Sequence, residues 1–435
     1  MTEAIRGDAE QASSPTPRVA IVGLGKIGLP LAVQFAQSGA TVTGYDIDPA
    51  RVATIDAGHN PLAGEAGLEA LPTLVETGVL RATTDPRDAV ARAGVIVLIV
   101  PVDVDEAHHP DFAALDAATD AIAPHVRRDA LVIVETTVPV GTTRNRVGAR
   151  IAAASGLTPG RDFALAFSPE RVSSGTVLRD LHIYPKVVGG IDAASTERAA
   201  AFYRQMLAAP AVIELRDAET AEFSKLAETT YRDVNIALAN EFARIADRLG
   251  VDALQAIAAS NTQPYSHIHQ PGPGVGGHCI PVYPYFLADD VARLIPAARE
   301  INDGMAAYTV DRLRDALGTL DGATVIVLGL AYRANVKEWR HSSAFGLAGA
   351  LRGDGARVFV HDPLFTPEEI RAGGLEPTPS FPMPADALVV QAEHDVYRAL
   401  DYRAFEGLRA VADPRGALDP ARVTSLGLRY VAVGR

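Results

Sequence analysis

The chain has 435 residues, 48% of them hydrophobic and 21% charged, which is too long for one ordinary domain and contains no apolar run near the roughly 18 residues needed to span a bilayer. Lys+Arg 40 against Asp+Glu 53 gives a net charge of −13, which argues against a polyanion-binding surface and against nucleic acid or membrane as a partner. One cysteine, Cys279, excludes an intrachain disulfide and fits a reducing, cytoplasmic setting.

Residues 1–17 (MTEAIRGDAEQASSPTP) are polar and lack an apolar h-region, so a disordered leader is expected there. Arg18–Val22 reads as a buried parallel strand running directly into Gly23-Leu-Gly25-Lys26-Ile27-Gly28, after which Leu29 to Ser38 has helical spacing. Thr41–Tyr45 is the next strand, and Asp46, 18 residues past Gly28, ends it. A GxGxxG run alone is a weak signal. Between a strand and a helix, with an acid at that distance, it places a pyrophosphate on a helix N-terminus and a carboxylate on the adenosine ribose, and that carboxylate would repel a 2′-phosphate, so NAD is favoured over NADP.

Strands follow at Gly94–Val100 and Ala130–Val134, with helical patterns at Pro86–Arg92, Asp111–His125 and Thr142–Ala154, the alternation of a doubly wound sheet. The segments beyond the strand ends, Pro101–Asp105 and Glu135–Thr143, lie where such sheets bind ligands. From about 217 to 249 an unbroken helical pattern predicts a helix of about 50 Å, long enough to link two domains and to offer a dimer surface. Lys225, Thr229, Arg232 and Asn235 fall near one side of it, as a solvated stripe or as a site.

The run Pro271-Gly-Pro-Gly-Val-Gly-Gly-His-Cys279 leaves few side chains to pack and lets the backbone approach a ligand closely. A lone cysteine is usually a small buried hydrophobe. On such a loop it is equally suited to act as a nucleophile. A second α/β unit begins at Ala323–Leu328 and continues through a helix at Ser343–Leu351 and strands at Ala356–Val360, Ala387–Val390 and Arg429–Val433. It has no GxGxxG, so substrate binding is expected of it. The fold class is therefore α/β, with two Rossmann-like doubly wound domains joined by a long central helix.

Taken together, GLGKIGLPLA at 23–32, ETTVPVGTT at 135–143, SPERVSSG at 168–175, KLAETTYRDVNIALANE at 225–241, QPGPGVGGHCIPVYPYF at 270–286 and GLAYRANVKEWRHSS at 329–343 resemble the UDP-glucose/GDP-mannose dehydrogenase family, and most closely its UDP-N-acetylmannosamine 6-dehydrogenase branch. The resemblance implies a leader at 1–17, an NAD-binding domain at 18–215, a helical linker and dimerisation region with the cysteine loop at 216–318, and a UDP-sugar-binding domain at 319–435. It implies a homodimer, no metal, and oxidation of carbon 6 of a UDP-sugar, an N-acetylhexosamine, to a uronic acid of the kind used in polysaccharide biosynthesis. It also implies two NAD per turnover.

By the same resemblance Cys279 forms a thiohemiacetal and then a thioester, Lys225 stabilises the alkoxide or takes part in proton transfer, and Glu170 with Thr137 handles the alcohol or the hydrolytic water. Gly23, Gly25, Lys26, Ile27, Gly28, Asp46, Pro101, Thr136 and Thr137 are the implied cofactor residues. Glu170, Arg171, Lys225, Arg232, Asn235, His267, His269, Gly274, Gly276, Gly277, Tyr332, Arg333 and Arg340 are the implied substrate residues.

The chain also departs from the family. Thr229 stands where the family has Asn, Tyr283 where it has Asp, Tyr265 where the branch offers Arg across the dimer, Arg333 where it has Lys, and Val102 where it has Thr. A tyrosine of pKa near 10 cannot replace a carboxylate base, so Thr229 and Tyr283 are expected to act through hydroxyl hydrogen bonds in the water step. His278 stands next to the thiol and either lowers its pKa or points away. The alternatives are a UDP-glucose 6-dehydrogenase, a two-electron dehydrogenase that stops at the aldehyde, and a non-catalytic nucleotide-sugar binding protein. Lys225 and Cys279 together speak against the last, and the GVGGHC loop against a β-hydroxyacid dehydrogenase.

Overall fold

A computed structural model describes residues 16–62, 65–172, 175–207 and 209–435. The leader expected at 1–17 lies outside the described residues but for its last two, as do Ser173 and Ser174 of the SPERVSSG run. The chain forms two compact units. The first is built from residues up to Pro101, Ala113–Thr136 and Gly141–Glu222, and the second from Val102–Phe112, Thr137–Val140 and Phe223–Arg435.

The strands, in chain order, are β1 (Arg18–Val22), β2 (Thr41–Tyr45), β3 (Leu80–Thr83), β4 (Val95–Leu98), the two-residue strands β5 (Asp103–Val104) and β6 (Pro110–Asp111), β7 (Leu131–Val134), β8 (Ala164–Phe167), β9 (Lys186–Gly190) and β10 (Val212–Glu214). In the first unit eight of them form a sheet in the order β10-β9-β8-β7-β4-β1-β2-β3. β1, β4 and β7 are nearly all buried, as strands covered on both faces by helices must be. The helix Gly28–Gln37 packs Leu29, Leu31, Val33 and Phe35 into the core. The sheet is parallel up to β8, which β9 meets antiparallel, with Phe167 opposite Gly189. That reversal falls on strands beyond those read from the sequence.

In the second unit β11 (Thr324–Leu328), β12 (Arg357–His361), β13 (Ala387–Val390), β14 (Ala410–Asp413) and β15 (Arg429–Ala432) form an all-parallel sheet in the order β12-β11-β13-β14-β15. β11 alternates, with Val325 and Val327 in one core and Ile326 and Leu328 in the other, so both faces are covered. β5 and β6 pair as a small antiparallel hairpin. The long helix runs Ala218–Leu249, 32 residues, within a residue of the expected span. A second long helix, Leu294–Leu317, follows the cysteine loop. No helix among the described residues is long and apolar enough to cross a membrane.

Candidate active site

In the first unit the glycine run is shaped by its own backbone. A Cβ at Gly28 would sit 1.9 Å from the Gly23 carbonyl, so the turn into the helix closes only with glycine there, whereas nothing lies within 4 Å of a Cβ at Gly25. Lys26 is exposed, and Ile27 packs against the core. Asp46 is buried, its Oδ2 accepting from Leu24 N at 2.8 Å and its Oδ1 from Asp48 N at 3.0 Å. Thr136 Oγ1 donates to Val100 O at 2.6 Å, tying the loop after β7 to the end of β4 beside the exposed Pro101. The open face at Gly25, the helix N-terminus and the strand-end carboxylate fit a dinucleotide.

Sequence reasoning missed Arg51, whose Nη1 lies 3.0 Å from Asp46 Oδ2. It sits in a helix whose N-cap, Asp48, is legible, but its pairing is tertiary. Removing the carboxylate frees that cation beside the expected ribose position. Asp46→Ala is therefore expected to shift the NADP/NAD ratio of kcat/KM toward NADP by roughly tenfold or more, the scale of one charged hydrogen bond. An unchanged ratio would remove Asp46 from cofactor choice.

Glu222 was also missed, because a lone acid in a helical pattern looks solvated. It is fully buried and accepts from Gly141 N at 2.5 Å and Thr143 N at 2.8 Å, capping the wide helical turn Thr143–Gly148. Burial pushes its carboxyl up to about 7, although both N–H bonds favour its charge. The folded value lies above the unfolded one, so this contribution to stability is full below the ordinary carboxylate range and is lost as pH rises through about 7. Glu222→Gln, which points an NH2 at one of the two N–H groups, is expected to cost roughly 1–3 kcal/mol. In chemical denaturation the wild-type advantage should be larger at pH 5 than at pH 8. An equal difference at both values would mean that Glu222 does not titrate in this window.

In the second unit Cys279 is half-buried at the entrance to the short helix Tyr283–Leu287, and its carbonyl accepts from Val282 N and Tyr283 N. The Tyr283 phenol faces both the thiol and Thr137. Burial, and then the nearby thiol, hold it well above its ordinary value, so it stays protonated at neutral pH. Packing also requires these glycines. A Cβ at Gly274 would meet Ser343 Oγ at 2.9 Å, one at Gly276 would meet Tyr332 Cβ at 2.7 Å, and Gly277, at φ +97°, lies against the Tyr332 ring. Gly277 N donates to Arg340 O at 2.8 Å. Protein, not open space, crowds these positions, so they are glycine because the 332–343 loop packs onto the cysteine loop. His278 Nε2 lies 3.3 Å from Glu338, so its ring is engaged there and not with the thiol.

On the long helix Lys225 and Thr229 are buried, while Arg232 is exposed. The Lys225 ammonium has no hydrogen-bond or ion-pair partner among the described residues, as a group reserved for a ligand would. Thr229 Oγ1 donates back to the Lys225 and Leu226 carbonyls at 3.0 and 3.1 Å. Its one proton is thus held by its own helix, which leaves the oxygen's acceptor capacity for water. Asn235 is likewise committed, donating to His267 O at 2.6 Å and accepting from His269 N at 3.0 Å. It clamps that loop. Tyr265, in the same loop, is 89% exposed.

Arg340 is ion-paired with Asp103 of the β5–β6 hairpin, a partner that sequence distance hides. The Arg333 guanidinium stacks 5.6 Å from the Tyr332 ring centroid. In the first unit Glu170 Oε1 accepts from Arg171 N at 2.6 Å and Val172 N at 3.1 Å, and Arg171 Nη1 donates to Pro185 O.

Three profiles of the UDP-glucose/GDP-mannose dehydrogenase family match the chain: the NAD binding domain at residues 17–207, the central domain at 219–304 and the UDP binding domain at 326–420. A UDP-N-acetyl-D-mannosamine dehydrogenase of Methanocaldococcus jannaschii is 34% identical over 423 residues, covering 93% of this chain and 92% of the relative. An NDP-N-acetyl-D-galactosaminuronic acid dehydrogenase of Ralstonia nicotianae is 35% identical, covering 94% and 97%. The solved structure of a UDP-D-ManNAc dehydrogenase from Pyrococcus horikoshii superposes with a TM-score of 0.86 at 33% identity, covering 96% of this chain and 99% of that one.

Proposed function

This chain belongs to the UDP-glucose/GDP-mannose dehydrogenase family, and from that premise we propose that it oxidises carbon 6 of a UDP-linked N-acetylhexosamine from alcohol to carboxylate through a covalent intermediate on Cys279. It is an NAD-dependent nucleotide-sugar dehydrogenase. The observation that carries the four-electron reading is the half-buried thiol on the crowded glycine loop, facing Tyr283 and Thr137. The amino-sugar names of the mannosamine and galactosaminuronic acid relatives support an N-acetylhexosamine and differ in epimer.

When bound, NAD supplies a hydride acceptor for each two-electron step, held by Gly23, Gly25, Gly28 and Asp46. The buried Lys225 ammonium steadies the developing alkoxide, with Glu170 taking the hydroxyl proton. Cys279 Sγ then adds to the aldehyde carbon, restoring the tetrahedral centre that a second hydride loss requires. Loss of the second hydride from that carbon turns the thiohemiacetal into a thioester, and water then cleaves its C–S bond, releasing carboxylate and returning the thiol. One observation favours the two-electron alternative: the Thr229 proton is held by its helix and Tyr283 is neutral, so no base stands beside the thioester in the second unit's described geometry. A panel of UDP- and GDP-sugars assayed by NADH formation, with product masses, tests both. Two NADH and an acid from a UDP-N-acetylhexosamine are expected, and turnover of UDP-glucose or of a GDP-sugar alone would overturn the substrate class.

A homodimer and a cytoplasmic setting belong to the same proposal. Tyr231, Leu238, Phe242, Ile245 and Leu249 recur at helical spacing on the long helix and are exposed, whereas Leu226 is fully buried and cannot be shared with a partner. A double substitution, Leu238→Glu with Ile245→Glu, is expected to give monomers by light scattering at micromolar concentration, where the wild-type chain is a dimer. A wild-type monomer with full activity would overturn this.

A further inference from the structure

The first unit buries a cluster of which the mechanism above uses only Glu170. Lys186 lies 3.2 Å from Glu135 and 3.6 Å from Glu170, with side-chain exposures of 5%, 0% and 12% in that order. The Lys186 ammonium also stands 4.8 Å from the Tyr203 ring centroid, and the Tyr203 hydroxyl donates to Glu135 Oε1. This convergence is a product of the sheet. β9 runs antiparallel to β8 with Phe167 opposite Gly189, so counting three residues outward on each strand sets Glu170 level with Lys186. Glu135 immediately follows β7, at the same sheet end. A parallel β9 would have begun at the opposite edge and carried Lys186 away.

We propose that Lys186 is a positioning residue for Glu170: its ammonium, 3.6 Å away, attracts Oε2 while the Arg171 and Val172 N–H groups hold Oε1, presenting the carboxylate in one orientation, with Glu135 as the buried counter-carboxylate. The inference rests on the proposed catalytic role of Glu170. A buried ammonium is costly unless paired, and one carboxylate would suffice to neutralise it. Two are present. Burial, with Glu170 adding to it, pushes Glu135 up to about 7 in spite of the ammonium, so Glu135 gives up its charge more readily than an ordinary carboxylate as pH falls. Burial works against the charge on Lys186, but Glu135 and Glu170 together hold its affinity for the proton above the ordinary value. Among the described residues, Tyr203, Arg171, Asp180 and Tyr184 also stand about this site, the last three lining a small cavity with Glu170 and Lys186.

The test is the pH–rate profile of the intact enzyme. Lys186→Met is expected to lower kcat about tenfold or more and to move the acid limb to higher pH by roughly one unit, the usual effect of losing an opposite charge at this range, with KM for NAD unchanged. Lys186→Arg should restore most of kcat. Glu135→Gln keeps an acceptor for Tyr203 but removes a like charge, so its acid limb should move to lower pH. A purely structural role would change melting and leave the limbs in place. If Lys186→Met does not fold, Lys186→Arg and Glu135→Gln carry the test. Limbs superimposable on the wild type, with Glu170→Gln inactive, would overturn the positioning role and leave the Glu170 reading standing. A fully active Glu170→Gln would overturn both.

Discussion

Replacing Cys279 with serine is expected to abolish release of the sugar acid, by about four orders of magnitude or more, as loss of a covalent nucleophile does elsewhere. The environment makes the variant informative. The cysteine is half-buried and its backbone is fixed by the Val282 and Tyr283 N–H groups, so an oxygen for a sulfur leaves the loop in place. A serine hydroxyl needs a paired base. The neighbour that could serve, His278, is engaged with Glu338, and Tyr283 is held in its protonated form. Substrate binding and NAD binding, followed calorimetrically, should survive. Aldehyde released with one NADH per sugar would place the block after the first oxidation, whereas acid formed at the wild-type rate would reduce Cys279 to packing.

The second large effect concerns water. With no carboxylate at position 283 and the Thr229 proton bonded to helix carbonyls, thioester hydrolysis should be the slow step. General-base assistance is typically worth about 10²–10⁴-fold, so losing the share that a carboxylate at position 283 would give is enough to let a covalent adduct on Cys279 accumulate during turnover. Intact mass after acid quench should show it, with two NADH formed per sugar. Tyr283→Asp should restore a base, collapse the adduct and raise kcat. One NADH per sugar, free aldehyde and no adduct in the wild-type enzyme would establish the two-electron reaction. A Tyr283→Asp variant that accumulates as much adduct as the wild type would show that position 283 does not govern the water.

Local physics made much of this legible in the sequence. β1, the glycine run, β2 and Asp46 follow from a buried apolar run, a turn requiring glycine and a strand-end acid, all within thirty residues. The long helix was legible because nothing breaks its 3.6-residue period over 32 residues. Cys279 and Lys225 could be named from their motifs, since those motifs pack chemistry-bearing residues into short runs. β8, with its sequence ALAF, and β9, with KVVGG, were not legible, because four or five residues without alternation or turn signals cannot be told from loop.

What the sequence determined by itself, then, is the set of local elements and the class of chemistry, because both are written in neighbouring residues. Only the tertiary structure decided who meets whom. Arg340 finds Asp103, Asp46 holds Arg51, Glu222 caps a turn 79 residues earlier at Thr143, and Asn235 clamps the 267–269 loop. The same holds for Lys186 between two carboxylates, which depends on the direction of β9, a property of strand pairing that no local pattern encodes. Long-range pairing is set by the summed burial of whole strands and helices, and it converts residues that read as solvated charges into the groups that orient the chemistry.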